Sequence, residues 1–189
     1  MNESEIIRGQ LATERIHAAQ VANACVAAFG AQHGGAAQPP AAFREASVSY
    51  LVWVLSRFEQ RDQLLAELIE RRNPGAGGAL EQTVPLELGE LATRDGTSRQ
   101  ALARLEAALT AVTPETARAA WQAFGRFFNS LWCARREAIE GHLARLPRIA
   151  SWRAVCAIDA DSILEERTRY AQVAEHLPPG ITLIGATGR

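Results

Sequence analysis

Apolar residues recur at helical spacing along most of the chain, and strand-type alternation is nearly absent. The most informative run covers 121–146. There Trp121, Phe128, Trp132, Ile139, Leu143 and Leu146 form one stripe, and Arg136 falls inside it. A cation in a seam that should be apolar requires a partner. The run belongs to a helix that begins at Thr113-Pro114-Glu115, with Thr113 as N-cap, Pro114 in the first position and an acid in the first turn. Pro147 ends it.

The same spacing predicts four further elements. A first helix over 4–29 turns Ile7, Leu11, Ala18, Val21, Cys25 and Phe29 inward with Glu14 in the same line, and Gly30 closes it. After a Gly- and Pro-rich loop, a second helix over 41–72 carries Phe43, Tyr50, Val54, Leu64 and Leu68, interrupted by Arg57 and Arg61. Beside that line run Leu51, Leu55, Phe58, Leu65 and Ile69, interrupted by Asp62. Asn73-Pro74-Gly75 opens the strongest breaker in the chain. Beyond Pro85, Leu88, Leu91, Leu102, Leu105 and Leu109 mark a third helix with Asp95 in its stripe, weakened or kinked at Gly96 by about 1 kcal/mol relative to Ala. A short piece near 152–157 precedes a fifth helix, capped by Asp159 or Asp161 and reaching Leu177, whose Arg167 and Tyr170 point inward.

The halves of the chain resemble each other. Leu11-Ala12-Thr13 recurs 80 residues later as Leu91-Ala92-Thr93, and Ala27-Ala28-Phe29 recurs as Ala107-Ala108-Leu109 at the same offset. On the second and fourth helices, Arg61-Asp62 matches Arg136-Glu137, Leu64 matches Ile139 and Leu68 matches Leu143, all 75 residues apart. The expected fold is therefore all-α: one domain with an up-down four-helix bundle over 1–147 made from a duplicated helical hairpin, a helical extension over 148–178 and an irregular tail over 179–189.

This pattern resembles the hemerythrin-like (HHE) family, in which a His is followed four residues later by Glu-Glu, then an apolar pair. The Leu-Ala-Thr stretches are similar to those preceding that family's other His ligands, and the resemblance covers residues 8–147. It implies a four-helix bundle around an iron pair. At the corresponding places on the second helix stand Arg57 and then Arg61-Asp62; on the fourth, Trp132 and then Arg136-Glu137; on the first and third, Glu14 or Arg15, and Asp95. No cluster rich in His and carboxylate survives at those places, so no cofactor is expected, with iron as the alternative.

Glu14, Arg57, Arg61, Asp62, Asp95, Trp132, Arg136 and Glu137 are the candidate internal polar network, ion pairs holding the space a metal would occupy. The bland alternative is that the arginines lie at the stripe edge with their heads in water. A small carboxylate or phosphate between Trp53, Trp132 and Tyr50 is a further candidate ligand. If a metal binds, Glu14 with His17 in an i, i+3 pair, together with Glu137 and His142, are the candidate ligands, and Glu140 lies beside them. Residues 88–105 also resemble a helix-turn-helix of the MarR type, with Ala92, Gly96, Ser98 and Leu102 at the expected intervals and Arg99 and Arg104 on the reader helix. Thr97 is polar where an apolar residue is usual, and no basic wing follows.

Composition narrows the field. A chain of 189 residues with 48% hydrophobic and 22% charged residues and a net charge of −1 has no general attraction to nucleic acid or anionic membrane. Cys25, Cys133 and Cys156 lack C-x-x-C spacing, which argues against a disulfide framework or zinc knuckle and for a reducing cytoplasm. Cys133, beside Arg135 and Arg136, is either a low-pKa thiol or a small buried one. No signal peptide, membrane span, phosphate loop or Ser–His–Asp arrangement is evident. The favoured expectation is a non-catalytic interaction, sensing or accessory module. It would meet a protein partner or a small anionic ligand, with a homodimer through the C-terminal helix as one form. The alternatives are an oxygen- or redox-related metal bundle and a DNA-binding regulator.

Overall fold

Local chemistry sets the starts of three helices in the computed structural model. The structure describes residues 3–30, 39–72, 96–143 and 158–183, with side chains described at 5–29, 39–64, 96–138, 140 and 158–183. Among these residues all regular structure is helical. The first helix, α1, is Glu3–Gly30 and the second, α2, is Ala41–Arg72. The third, α3, is Thr97–Thr110. The fourth, α4, comprises Pro114–Phe127, a π-helical turn Phe128–Trp132, and Cys133–Leu143. The fifth, α5, is Ala160–Glu175.

Reciprocal side-chain caps start α4 and α5. Thr113 Oγ1 accepts from the Thr116 amide at 3.2 Å while Thr116 Oγ1 accepts from the Thr113 amide at 3.1 Å. Asp159, rather than Asp161, caps α5: its carboxylate accepts from the Ser162 amide at 2.7 Å, and Ser162 Oγ accepts from the Asp159 amide at 3.0 Å. Gly96 does more than kink the third helix. Its φ of 50° lies in the left-handed region that glycine tolerates, and α3 begins only at Thr97. The predicted portion over 88–95, with Asp95, lies outside the described residues, as does the short piece near 152–157.

The buried face of α1 consists of Ile7, Leu11, Glu14, Ala18, Val21 and Cys25, as its spacing predicts. On α2, Phe43, Tyr50, Leu51, Val54, Leu55 and Phe58 are buried. On α3, Leu105 is buried, whereas Leu109, expected to face inward, is 41% exposed because the buried face runs through Ala101, Leu105 and Ala108. On α4, Trp121, Phe128 and Trp132 are buried together with Phe124, which the predicted stripe omitted.

Helix α1 packs on α2 and α4, α3 packs on α2 and α4, and α5 lies across α1 and α2. Glu14 meets Arg61 and Phe29 meets Phe43, so α1 and α2 run antiparallel. Trp132 bonds Ser98 while Arg104 covers Phe127, so α3 and α4 also run antiparallel. A file of aromatic rings follows the interior: Phe29 stacks on Trp121 at 4.7 Å, Trp121 meets Phe124 edge-on at 5.8 Å, and Phe124, Phe128 and Trp132 continue at 5.4 and 4.3 Å. The file ends at Phe58, edge-on to Trp132 at 5.1 Å. Such pairs contribute about 0.5–1.5 kcal/mol each beyond area burial.

Candidate functional site: the buried ion pairs

The aromatic file delivers Phe58 and Trp132 against two guanidinium groups. Arg61 lies 4.9 Å from the Phe58 ring centroid, and Arg136 lies 5.4 Å from the same ring and 6.0 Å from that of Trp132. Both arginines are essentially removed from water, Arg61 at 6% and Arg136 at 3% exposure. Their heads are not in solvent at the stripe edge, so each needs a carboxylate.

Arg61 Nη1 donates to Glu14 Oε2 at 2.6 Å, tying α2 to α1. Glu14 is wholly buried. Its other oxygen faces Gln10 Nε2 at 3.5 Å and Arg57 Nη2 at 4.0 Å. Burial first, and then the neighbouring Arg61, push the pKa of Arg57 down. Arg57 also lies over the Trp53 ring at 4.8 Å. Arg136 donates from Nη1 and Nη2 to the two oxygens of Asp62 at 2.7 and 2.6 Å, a bidentate pair joining α4 to α2. A third pair, Arg15 with Glu140 at 3.1 Å, joins α1 to α4. Burial raises the Glu140 pKa although Arg15 opposes the shift. Trp132 Nε1 donates to Ser98 Oγ at 3.2 Å and so brings α3 into the same layer.

The structure thus assembles Glu14, Arg57, Arg61, Asp62, Trp132 and Arg136. Glu137 is exposed, one position and about 100° round α4 from buried Arg136, and Asp95 lies outside the described residues. Glu140, not Glu137, is the acid from that part of α4 that takes part in an internal ion pair. The anion pocket expected between Trp53, Trp132 and Tyr50 has two of its donors committed elsewhere, Trp132 to Ser98 and Tyr50 to the Glu166 carboxylate at 2.9 Å.

The candidate metal ligands disperse. His17 is bonded to Glu166 at 2.8 Å instead of sharing a site with Glu14, Glu137 is exposed, and the His142 side chain lies outside the described residues. Among the described residues, no group of three or more His, Cys, Asp or Glu could hold a metal ion. At the places where the resemblance would put ligands, guanidinium groups and an indole offer no lone pair to a metal, and Glu14 and Asp62 are bonded to arginine. That donor set does not fit an iron pair.

Burial decides between the two readings of Cys133 and corrects the expectation for Arg167. The Cys133 thiol is pushed up to about 11, because desolvation outweighs the nearby Arg15, so it is not an activated thiol. Cys25 is pushed up to about 12 for the same reason. Arg167 is exposed, whereas Tyr170 is partly buried and its hydroxyl bonds Gln20.

On the would-be reader helix, Thr97 and Ser98 are buried, Arg99 donates to Glu59 at 2.8 Å, and Arg104 lies 4.3 Å over Phe127. Residues 88–95 of that segment lie outside the described residues. No helix among the described residues is long and apolar enough to cross a membrane.

A second polar centre was not anticipated. Glu166 of α5 is wholly buried and receives both Tyr50 and His17, and the His17 ring stacks on Tyr170 at 3.8 Å. The signal for it is present in the sequence: Ile163, Glu166, Tyr170, Val173 and Leu177 are spaced as one helical stripe with an acid inside it. Comparisons with protein-family models, curated proteins and solved structures return no match for this chain.

Proposed function

We propose that the chain is a hemerythrin-like up-down four-helix bundle that acts as a non-catalytic interaction, sensing or accessory module, its interior organised by arginine–carboxylate pairs in place of iron. One observation carries the reading. At the places where the resemblance would put an acid on helices two and four, Arg61 and Arg136 are buried and bonded to Glu14 and Asp62.

The burial pattern supports a duplicated hairpin. At an offset of 80, Ala18 and Ser98, Val21 and Ala101, and Cys25 and Leu105 are buried at matching places on α1 and α3. Between α2 and α4 the offset is 74 before the π turn, pairing Ser47 with Trp121, Tyr50 with Phe124, Leu51 with Gly125 and Val54 with Phe128, all buried. Beyond the turn it is 75, pairing Arg61 with Arg136. A π turn accommodates one extra residue, which accounts for the change. The antiparallel order of neighbouring helices and the parallel run of α2 beside α4, through Phe58–Trp132 and Asp62–Arg136, support the up-down arrangement.

The deciding experiment is metal analysis of the full chain produced with iron and manganese in the medium. The expected result is far below one metal per chain, with thermal unfolding unchanged by a chelator. Near-stoichiometric iron that disappears in Glu14→Ala or Glu137→Ala would overturn the reading in favour of a metal bundle. Salt-dependent duplex DNA binding lost on replacing Arg99 and Arg104 would favour a regulator.

A further inference from the structure

The Glu166 centre fixes the state of His17. An ionised carboxylate only accepts hydrogen bonds, and Oε1 of Glu166 lies 2.9 Å from the donating Tyr50 hydroxyl and 2.8 Å from His17 Nδ1. His17 therefore holds a proton on Nδ1, and in the neutral ring the lone pair resides on Nε2. That nitrogen makes no hydrogen bond among the described residues, is not among the buried unsatisfied atoms, and belongs to a side chain 23% exposed. The ring cannot easily turn away, because it lies flat on Tyr170 at an interplanar angle of 9°. Tyr170 in turn is anchored on Gln20. Glu166 Oε2 is buried without a partner and retains accepting capacity for a positive charge developing on the ring.

We propose that His17 Nε2 is a covalent acceptor for a small, neutral, activated acyl group. In the step, the Nε2 lone pair attacks the carbonyl carbon, an N–C bond forms, and the C–O bond to the leaving group breaks with its electron pair. The ring becomes an acyl-imidazolium whose charge is balanced by Glu166, to which Nδ1–H remains bonded. Water later attacks the same carbonyl and gives a proton to the expelled oxyanion or to solvent; the N–C bond then breaks, its electron pair returns to Nε2 and the carboxylic acid leaves. A neutral donor is specified because the charged group in direct contact with the ring, Glu166, is a carboxylate and repels an anion. The inference uses none of the arginine pairs, so its failure leaves the proposed function standing, whereas its success keeps the arginine-paired bundle and replaces the non-catalytic part of that reading with a hydrolytic one.

The test uses the full chain with p-nitrophenyl acetate at neutral pH, followed by intact mass and peptide mapping. The chain contains no lysine, which removes the usual competing acceptor. His17 is expected to acylate at least ~10-fold faster than His176, and Glu166→Gln to slow it by at least ~10-fold, since an amide can donate to Nδ1 and reverse the tautomer. Nitrogen-15 NMR of the unaltered chain reads the tautomer without any substitution. A proton on Nε2, or acylation of His17 no faster than that of His176, overturns the proposal.

Discussion

Arg136 and Asp62, 74 residues apart in sequence, meet through two parallel hydrogen bonds of 2.7 and 2.6 Å that join α4 to α2. The Arg136 side chain is 3% exposed and that of Asp62 13%, so the pair is mostly out of water. Its net contribution to stability is small, since desolvation offsets attraction. Asp62→Ala nevertheless leaves a buried guanidinium without its counter-charge, and the expected loss is about 3–5 kcal/mol in urea unfolding. Replacing both, Asp62→Leu with Arg136→Met, is expected to return stability to near the starting value. A double variant as unstable as the single one would show that the charges themselves hold the helices together.

Tyr50 gives the alkaline limit of the fold. Burial first, and then Glu166, raise its pKa well above 10. The protonated hydroxyl is favoured in the folded state, so its contribution is complete below the unfolded pKa of about 10 and is lost as pH rises from there toward the folded value. Cys25, raised from 9.0 to about 12, adds to the same decline. Stability measured by urea unfolding is expected to fall between pH 9 and 11, with a shallower fall in Tyr50→Phe. At neutral pH the same substitution costs about 1.5–3 kcal/mol for the lost bond to a charged acceptor. An unchanged alkaline slope would mean that Tyr50 ionises as readily folded as unfolded.

At Gly125, α4 passes close to Val26 of α1. A Cβ there would sit 2.6 Å from Val26 Cγ2. Alanine gains about 1 kcal/mol in helix propensity, but overpacking costs about 1–3 kcal/mol, and the branched valine has little rotamer freedom with which to yield. Gly125→Ala is expected to lower stability in thermal melts. In a Val26→Ala background the same change becomes neutral or stabilising, and a simply additive cycle would rule out the clash.

The helical class and the buried face of α1 were legible because Ile7, Leu11, Ala18, Val21 and Cys25 keep regular spacing, and Glu14 within that line announced its burial. The cap at Thr113 was legible because it is local, and the start of α5 was legible as Asp159 or Asp161, a choice that the bonds between Asp159 and Ser162 decide. Partner choice was not. Whether Arg136 meets Asp62 or an acid on another helix depends on tertiary register, which local spacing leaves open. Glu166 carried the same stripe signal as Glu14 but acquires meaning only beside His17 and Tyr50, 149 and 116 residues away. Phe124 stands outside the predicted stripe although its place three residues after Trp121 and four before Phe128 is ordinary α-helical spacing, in the segment that precedes the π turn.

That turn has a sequence cause that can be tested. Phe124, Phe128, Trp132 and Arg136 are all buried, each four residues after the last. At about 3.6 residues per turn, steps of four drift about 40° each, so a regular helix would rotate Arg136 far from the face of Phe124. The π turn winds more slowly and keeps all four inward. Deleting exposed Ser130 would change the spacing from 4, 4, 4 to 4, 3, 4, which a regular α-helix accommodates. The shortened chain is expected to unfold cooperatively with a loss within about 0.5–3 kcal/mol, the ordinary range of single changes. Deleting exposed Ser56 from α2, where no extra residue is stored, would rotate Phe58, Arg61 and Asp62 by about 100° off the interior and abolish cooperative unfolding. Circular dichroism melts of the two deletions decide the matter, and equal damage from both would mean that the π turn is not an absorbed insertion.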